Sequence, residues 1–194
     1  MDASRERFIT NVMNAGFGRA AESFSKLVNG SVRVTDTSCT VLPHRGDLTG
    51  VAEESGNLIV VTTQIIGRVS GKSFLVFSER EIHEIFKSLG TKNRILEEAF
   101  LLEIDNIISA SVISGLSNAL SIEVYGDVPQ LTHIQASALH GFIRSEVSRE
   151  DSSHMVCSRA TLHFEHTRDV HPQFIWKINS KVLDIIPLEK LVAL

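Results

Sequence analysis

Cysteine is nearly absent from the 194 residues: there are two, Cys39 and Cys157, with no CxxC pair. They are read as buried free thiols in a reducing compartment, not as a disulfide framework. Charge of one sign is also scarce. A formal net charge of -4 argues against a generic nucleic-acid binder and is too small to define a partner. The start, Met-Asp-Ala-Ser-Arg-Glu-Arg, has no apolar run behind it that would serve as a signal peptide. By inspection no segment reaches the ~20 apolar residues of a membrane span, so a cytoplasmic protein is expected.

What remains is an ordinary globular composition, 43% hydrophobic and 22% charged, suited to one domain or to two intimately packed halves. Helix is expected over 4–28 and 92–120, and a short amphipathic helix over 79–89 with Ser78 as its N-cap and Gly90 as its stop. Alternating or β-rich runs predict strands over 31–42, 58–69, 73–77, 122–125, 155–164 and 174–178. The runs at 58–69 and 73–77 form a hairpin through Ser70-Gly71-Lys72. Residues 43–56 and 148–153 read as loops, 133–147 as helix from its apolar spacing, and 180–194 as a final helix interrupted near Pro187.

The order helix, strand, hairpin, helix occurs twice. Asn14 aligns with Asn106, Phe24 with Leu116, Ser25 with Ser117 and Val32 with Val124 at one offset, and Phe74 to Phe77 align with Phe174 to Lys177 at a slightly longer one. Two agreeing stretches in the same order point to duplication. The expected architecture is α+β: two pseudo-two-fold helix–strand–hairpin–helix units, about 5–90 and 92–194, sharing a mostly antiparallel sheet with long helices packed on it, all one domain over 1–194.

On the second long helix, Leu101, Ile104, Ile108, Val112 and Ala119 fall on one stripe at ~100° per residue, the core side. Glu103 and Asn106 lie roughly opposite, between Ala99 and Ala110. A carboxylate and an amide three residues apart share a helix face, and small neighbours let another protein approach. The same pair on an exposed helix side is also compatible with an ordinary solvated surface. The corresponding positions of the first helix hold Asn11 and Asn14.

Glu-Ile-Asp-Asn-Ile, a small-residue helix, Ala-Leu-Ser, a strand and Val-Pro together resemble the CheC/CheX/FliY family of chemotaxis phosphatases, and residues 14–34 look like that family's first repeat. The similarity extends over nearly the whole chain. It implies dephosphorylation of an aspartyl-phosphorylated CheY-like receiver in chemotaxis and two-component signalling. The Glu would pair with the receiver's active-site Lys, and the Asn would enter the acyl-phosphate site to orient a water. No cofactor is implied for this chain, since Mg2+ belongs to the receiver.

Residue by residue, Glu103 and Asn106 match the motif and Pro129 follows it, whereas Ala99 stands where Asp or Ser is usual and Asp105 where Gly is usual, at the edge of the buried stripe. In the first copy Asn14 matches, but Asn11 replaces the Glu and Thr37 the Pro, so that site is expected to be weak or dead. The alternative is a non-catalytic module binding a CheD-like receptor deamidase or a flagellar switch component, as monomer or homodimer, without nucleic acid or a membrane span.

Other patterns fare worse. Gly67 to Ser73 looks like a phosphate loop but has its first Gly one residue late and joins two strands. His163 and His166 would fall on opposite strand faces, with His171 nearby, which disfavours a metal site. The run 151–154 (Asp, Ser, Ser, His) has no strand-to-helix nucleophile elbow. Trp176 and the phenylalanines are read as core.

Overall fold

The protein is described by a computed structural model, which describes residues 3–43, 56–89, 93–146, 153–165, 169–179 and 181–187. Helix α1 (Ala3–Leu27) is followed by strand β1 (Val32–Pro43), the hairpin β2 (Asn57–Gly67) and β3 (Gly71–Ser78), and helix α2 (Glu79–Leu89). Helix α3 (Arg94–Leu120), strands β4 (Val124–Gly126) and β5 (Gln130–Gln135) and helix α4 (Leu139–Ser145) come next, then β6 (Ser153–Phe164), β7 (Gln173–Asn179) and α5 (Lys181–Asp184). The expected loops at 43–56 and 148–153, the stop at Gly90 and the end of the final helix fall wholly or mostly outside the described residues.

All strand pairings are antiparallel, in the order β1-β6-β7-β3-β2, with β4 and β5 sharing the outer edge of β2. The α+β architecture is as expected. Central strands are covered on both sides, which is why β3 is apolar at consecutive positions, with 73–78 buried throughout. One face, carrying Ile59, Val61, Ile65, Leu75, Phe77, Phe174 and Trp176, packs under α1 and α3, where Phe17 meets Phe174 edge to face at 6.0 Å. The other face, with Leu58, Val60, Phe74, Val76 and Ile175, is covered by Leu139 and Ile143 of α4.

Three expectations are corrected. Residues 133–135 are the end of β5, not helix, and α4 begins only at Leu139. Ile134, Leu139, Phe142 and Ile143 all reach the same apolar cluster, so a strand followed by a short helix imitates one helical period. The alignment of Phe74 with Phe174 also fails, because these rings lie on opposite faces of the sheet. A slip of one residue in a strand exchanges its faces. Finally, residues 95–120 do form a 26-residue helix long and apolar enough to cross a membrane by length and composition, with mean hydropathy 1.5 over an 18-residue stretch of it. Here that apolarity is used in packing, since Leu101, Ile104, Ile108, Val112 and Leu116 are buried in the core.

Local signals explain the helix ends. Ser78 and Glu81 form a reciprocal capping box: the Ser78 N–H donates to Glu81 Oε2 at 2.8 Å, and the Glu81 N–H to Ser78 Oγ at 3.3 Å. Asn93 Oδ1 accepts from the Ile95 N–H at the start of α3, and Ser121 ends it in the left-handed region at φ 55°.

The two long helices cross where side chains are smallest. A Cβ on Gly16 would lie 2.7 Å from Val112 Cγ2 and 3.0 Å from its Cα. Near Gly115, Arg19 donates to the Ser111 carbonyl at 2.8 Å. Gly18, by contrast, has nothing within 4 Å of a Cβ. Urea unfolding should therefore separate the two glycines. Gly16→Val is expected to cost about 1–3 kcal/mol through overpacking at the crossing. Gly18→Ala is expected to gain about 0.5–1 kcal/mol by reducing the freedom of the unfolded chain. Equal effects would contradict the crossing.

Candidate functional site

Helix α3 presents two opposed sides. Leu101, Ile104, Ile108 and Val112 are buried against α1 and the sheet. Ala99, Glu103, Asn106 and Ala110 are all exposed, in the outward strip the spacing predicts. Among the described residues neither Glu103 nor Asn106 makes a side-chain hydrogen bond or ion pair. Residues at i and i+3 place their Cβ atoms ~5–6 Å apart. The result is a free carboxylate and a free amide side by side, flanked one turn away by methyl groups. Leu96 continues the strip toward the start of α3 and is 57% exposed.

The corresponding face of α1 differs. Asn11 is exposed, but Asn14 is half-buried. Its Oδ1 is closed off from solvent with no hydrogen-bond partner. One turn before Asn11 stands exposed Arg7, where α3 has Ala99. Where α3 has Glu103 this helix offers no carboxylate, and the Asn14 amide oxygen is enclosed. Thr37 lies in β1 beside the register irregularity between Thr35 and Ser38.

Pro129 lies between β4 and β5 and is half-buried. The preceding segment is held by the Asp127 N–H donating to the Gln64 carbonyl at 2.8 Å. A Cβ on Gly126 would meet Ile113 Cδ1 at 3.2 Å and Thr63 Cγ2 at 3.3 Å. The segment leading to Pro129 therefore passes close to the buried side of α3.

Asp105 is not at the edge of the stripe but fully enclosed, 0% exposed. Its Oδ2 accepts from Thr63 Oγ1 at 2.6 Å and its Oδ1 from Ser109 Oγ at 3.3 Å. Ser109 Oγ lies 3.2 Å from Ser73 Oγ. Burial pushes the carboxyl up to about 7, opposed by the hydrogen bonds from Thr63 and Ser109. Thr63 and Ser109 are not singled out by the sequence, and Ser73 enters it only as the end of the rejected phosphate loop. The available signal was Asp105 and Ser109, four apart on an otherwise apolar helix side.

The remaining titratable groups are engaged separately. His163 bridges Asp169 through Nδ1 and Thr35 through Nε2, each at 2.6 Å, on a partly open strand face. His171 Nδ1 instead meets Thr161 Oγ1 at 3.0 Å, so the two imidazoles do not converge. His166 and the start of the 151–154 run lie outside the described residues. Gly67 and Gly71 bound the β2–β3 turn, as a hairpin requires. Cys39 and Cys157 are free and half-buried. Burial raises both thiols, Cys157 to about 11, which keeps them protonated and poorly nucleophilic near neutrality.

The sequence matches no protein-family model and no curated protein. Solved structures do match. FliY of Thermotoga maritima superposes with TM-score 0.74 at 14% identity, covering 100% of this chain and 98% of that one. The FliM middle domain of H. pylori gives 0.61 at 11%, covering 95% and 99%. A chain of the CheX–CheY–BeF3–Mg2+ complex from Borrelia burgdorferi gives 0.51 at 10%, covering 88% and 99%. Identities this low establish the fold, and with it the sequence resemblance is met in three dimensions: this chain has the fold of FliY, the FliM middle domain and CheX, the CheC/CheX/FliY-type chemotaxis proteins.

Proposed function

We propose that this chain is a phosphatase that hydrolyses the aspartyl phosphate of a CheY-like receiver domain, using one edge built from Glu103 and Asn106. The observation that carries the reading is their placement. Both are exposed and unengaged among the described residues, on the side of α3 turned away from its buried stripe. Occurrence of the fold in a CheX–CheY–BeF3–Mg2+ complex supports it by analogy.

The chemistry asks little of the phosphatase. An acyl phosphate is already activated, and the receiver's own Mg2+ neutralises charge on the phosphoryl group. What is needed is a water held in line with the phosphorus. The Asn106 amide would hold that water. The water oxygen then bonds to phosphorus, the bond from phosphorus to the aspartyl oxygen breaks, and inorganic phosphate and the receiver's carboxylate result. Glu103 would dock by pairing with a cationic side chain of the receiver, a charge-assisted contact that Asn11 in the first copy lacks. Ala99 and Ala110 leave room for the receiver backbone.

A second reading is a non-catalytic docking module, for a CheD-like deamidase or a flagellar switch component. It is favoured by Ala99, which removes a polar residue from the motif, and by the fold's occurrence in FliM, solved in complex with FliG.

Phosphate loss from a phosphorylated CheY-like receiver distinguishes them. Wild type should accelerate it. Asn106→Ala should lower the rate at saturation by about 100-fold, the scale of losing a positioned polar group. Glu103→Ala should act mainly by raising the receiver concentration needed. Asn14→Ala should change the rate by less than about twofold, because its amide contributes no positioning energy to the reaction. Binding without acceleration would favour the docking module, and equal losses from Asn14→Ala and Asn106→Ala would contradict the single site.

A further inference from the structure

The fold places four polar side chains in a layer that is otherwise apolar, directly beneath the proposed catalytic edge. Asp105, Thr63, Ser73 and Ser109 are exposed by 0%, 2%, 1% and 3%. They come from α3, β2 and β3 and are linked by contacts of 2.6, 3.3 and 3.2 Å. Ser73 Oγ also lies 3.4 Å from the Thr63 carbonyl, closing the group onto the hairpin. Asp105 immediately precedes Asn106 in the chain. In the first copy the positions corresponding to Asp105 and Ser109 are Met13 and Phe17, equally buried at 0% and 1% and wholly apolar. The polar group is thus found under the helix that carries the carboxylate and amide, and its helix half is replaced by apolar residues in the helix that lacks them.

A buried carboxyl is an expensive way to seat a helix, since apolar side chains do so without desolvation cost. Apolar packing tolerates small rotations and slides, whereas two O–H donors aimed at the two oxygens of one carboxylate specify the rotation of α3 about its own axis. That rotation determines where Asn106 points. We propose that Asp105 is the positioning residue of the Glu103/Asn106 edge, holding α3 in register on β2 and β3 through Thr63, Ser109 and Ser73. This rests on the phosphatase reading for its effect on rate, though not for its effect on the orientation of Asn106.

Proton uptake would change the seat, because a protonated Asp105 becomes a donor and cannot keep both of its acceptor contacts unchanged. Burial raises this pKa and the hydrogen bonds from Thr63 and Ser109 oppose the rise, with no charged group among the causes. On the elements packed against α3, the titratable groups are engaged elsewhere. Arg19 of α1 bonds the Ser111 carbonyl, His133 of β5 lies 3.6 Å from Glu98, and Tyr125 of β4 is exposed. Glu103 points outward from α3 itself.

Three readings test the proposal on the intact chain. First, Asp105→Met, which installs the first copy's residue, should lower receiver dephosphorylation by roughly tenfold to a hundredfold, whereas Asp105→Asn, which like the protonated carboxyl keeps one acceptor oxygen, should lose only about threefold and match wild type at low pH. Thr63→Val, which keeps the carboxyl and removes a donor, should fall between them. Second, the ratio of catalysed to spontaneous phosphate loss should rise with pH through about 7 in wild type and lose that inflection in Asp105→Asn. Third, the side-chain amide resonances of Asn106 should shift over the same pH range in wild type and stay fixed in Asp105→Asn, whether or not the protein is a phosphatase.

Stability should move the opposite way to activity. The folded-state pKa of Asp105, about 7, lies above its usual 3.8, so the folded chain holds the proton more tightly. Stability contributed by this group then declines as pH rises between those values and stays lowered above them. Asp105→Asn should accordingly melt higher than wild type at pH 8 and lack that decline. Full activity in Asp105→Met, or Asn106 resonances blind to the titration of Asp105, would overturn the positioning role. Absence of any acceleration by wild type would instead defeat the phosphatase reading, leaving the resonance shift as the deciding test of the proposal.

Discussion

Helix α3 can show a carboxylate and an amide to a partner only because its other side is fixed on the sheet. Everything proposed for the chain depends on that seat. It is made by an apolar stripe from Leu101 to Val112, by the close crossing of Gly16 against Val112, and by the polar group around Asp105. The first two contributions hold the helix down. The third sets its rotation, and rotation decides whether an amide one turn from a carboxylate faces a partner or a neighbouring element.

The two long helices serve different roles. α1 has a packing side, with Phe8, Val12, Met13, Phe17 and Phe24 all buried, but its outer side carries Asn11 where α3 carries Glu103, and the Asn14 amide oxygen is enclosed. α3 pays for an internal carboxyl and keeps an open edge. Serines in the last turns of the two helices do similar jobs. Ser25 Oγ accepts from the Val32 N–H at 3.0 Å, and Ser117 Oγ donates to the Ile122 carbonyl, each tying a helix end to the chain that leads into the next strand.

Much of this was legible in the amino-acid order, because both periods are strong where one side is wet. The outward strip of α3, the N-cap at Ser78 and the β2–β3 hairpin all follow from residue types at fixed spacing. β5 was not legible: Ile134 lies near the end of a strand and Leu139 opens a helix, yet both face the same cluster, so their spacing mimics a single helix. The strand correspondence of Phe74 with Phe174 failed because β3 and β7 are covered on both faces, which leaves no alternation to fix the register. The burial of Asp105 was missed for a different reason. Periodicity placed it beside the core stripe, but its partner Thr63, and Ser73 behind Ser109, are more than thirty residues upstream, and only the folded sheet brings them there.

The most direct measurement of the central claim is turnover. Phosphate release would be followed in real time from a large excess of phosphorylated CheY-like receiver mixed with a small amount of this protein. The account predicts many phosphates released per molecule, with the catalysed phase abolished when the Asn106 amide is removed. A release curve identical to that of the receiver alone, despite demonstrable binding at the α3 edge, would contradict it.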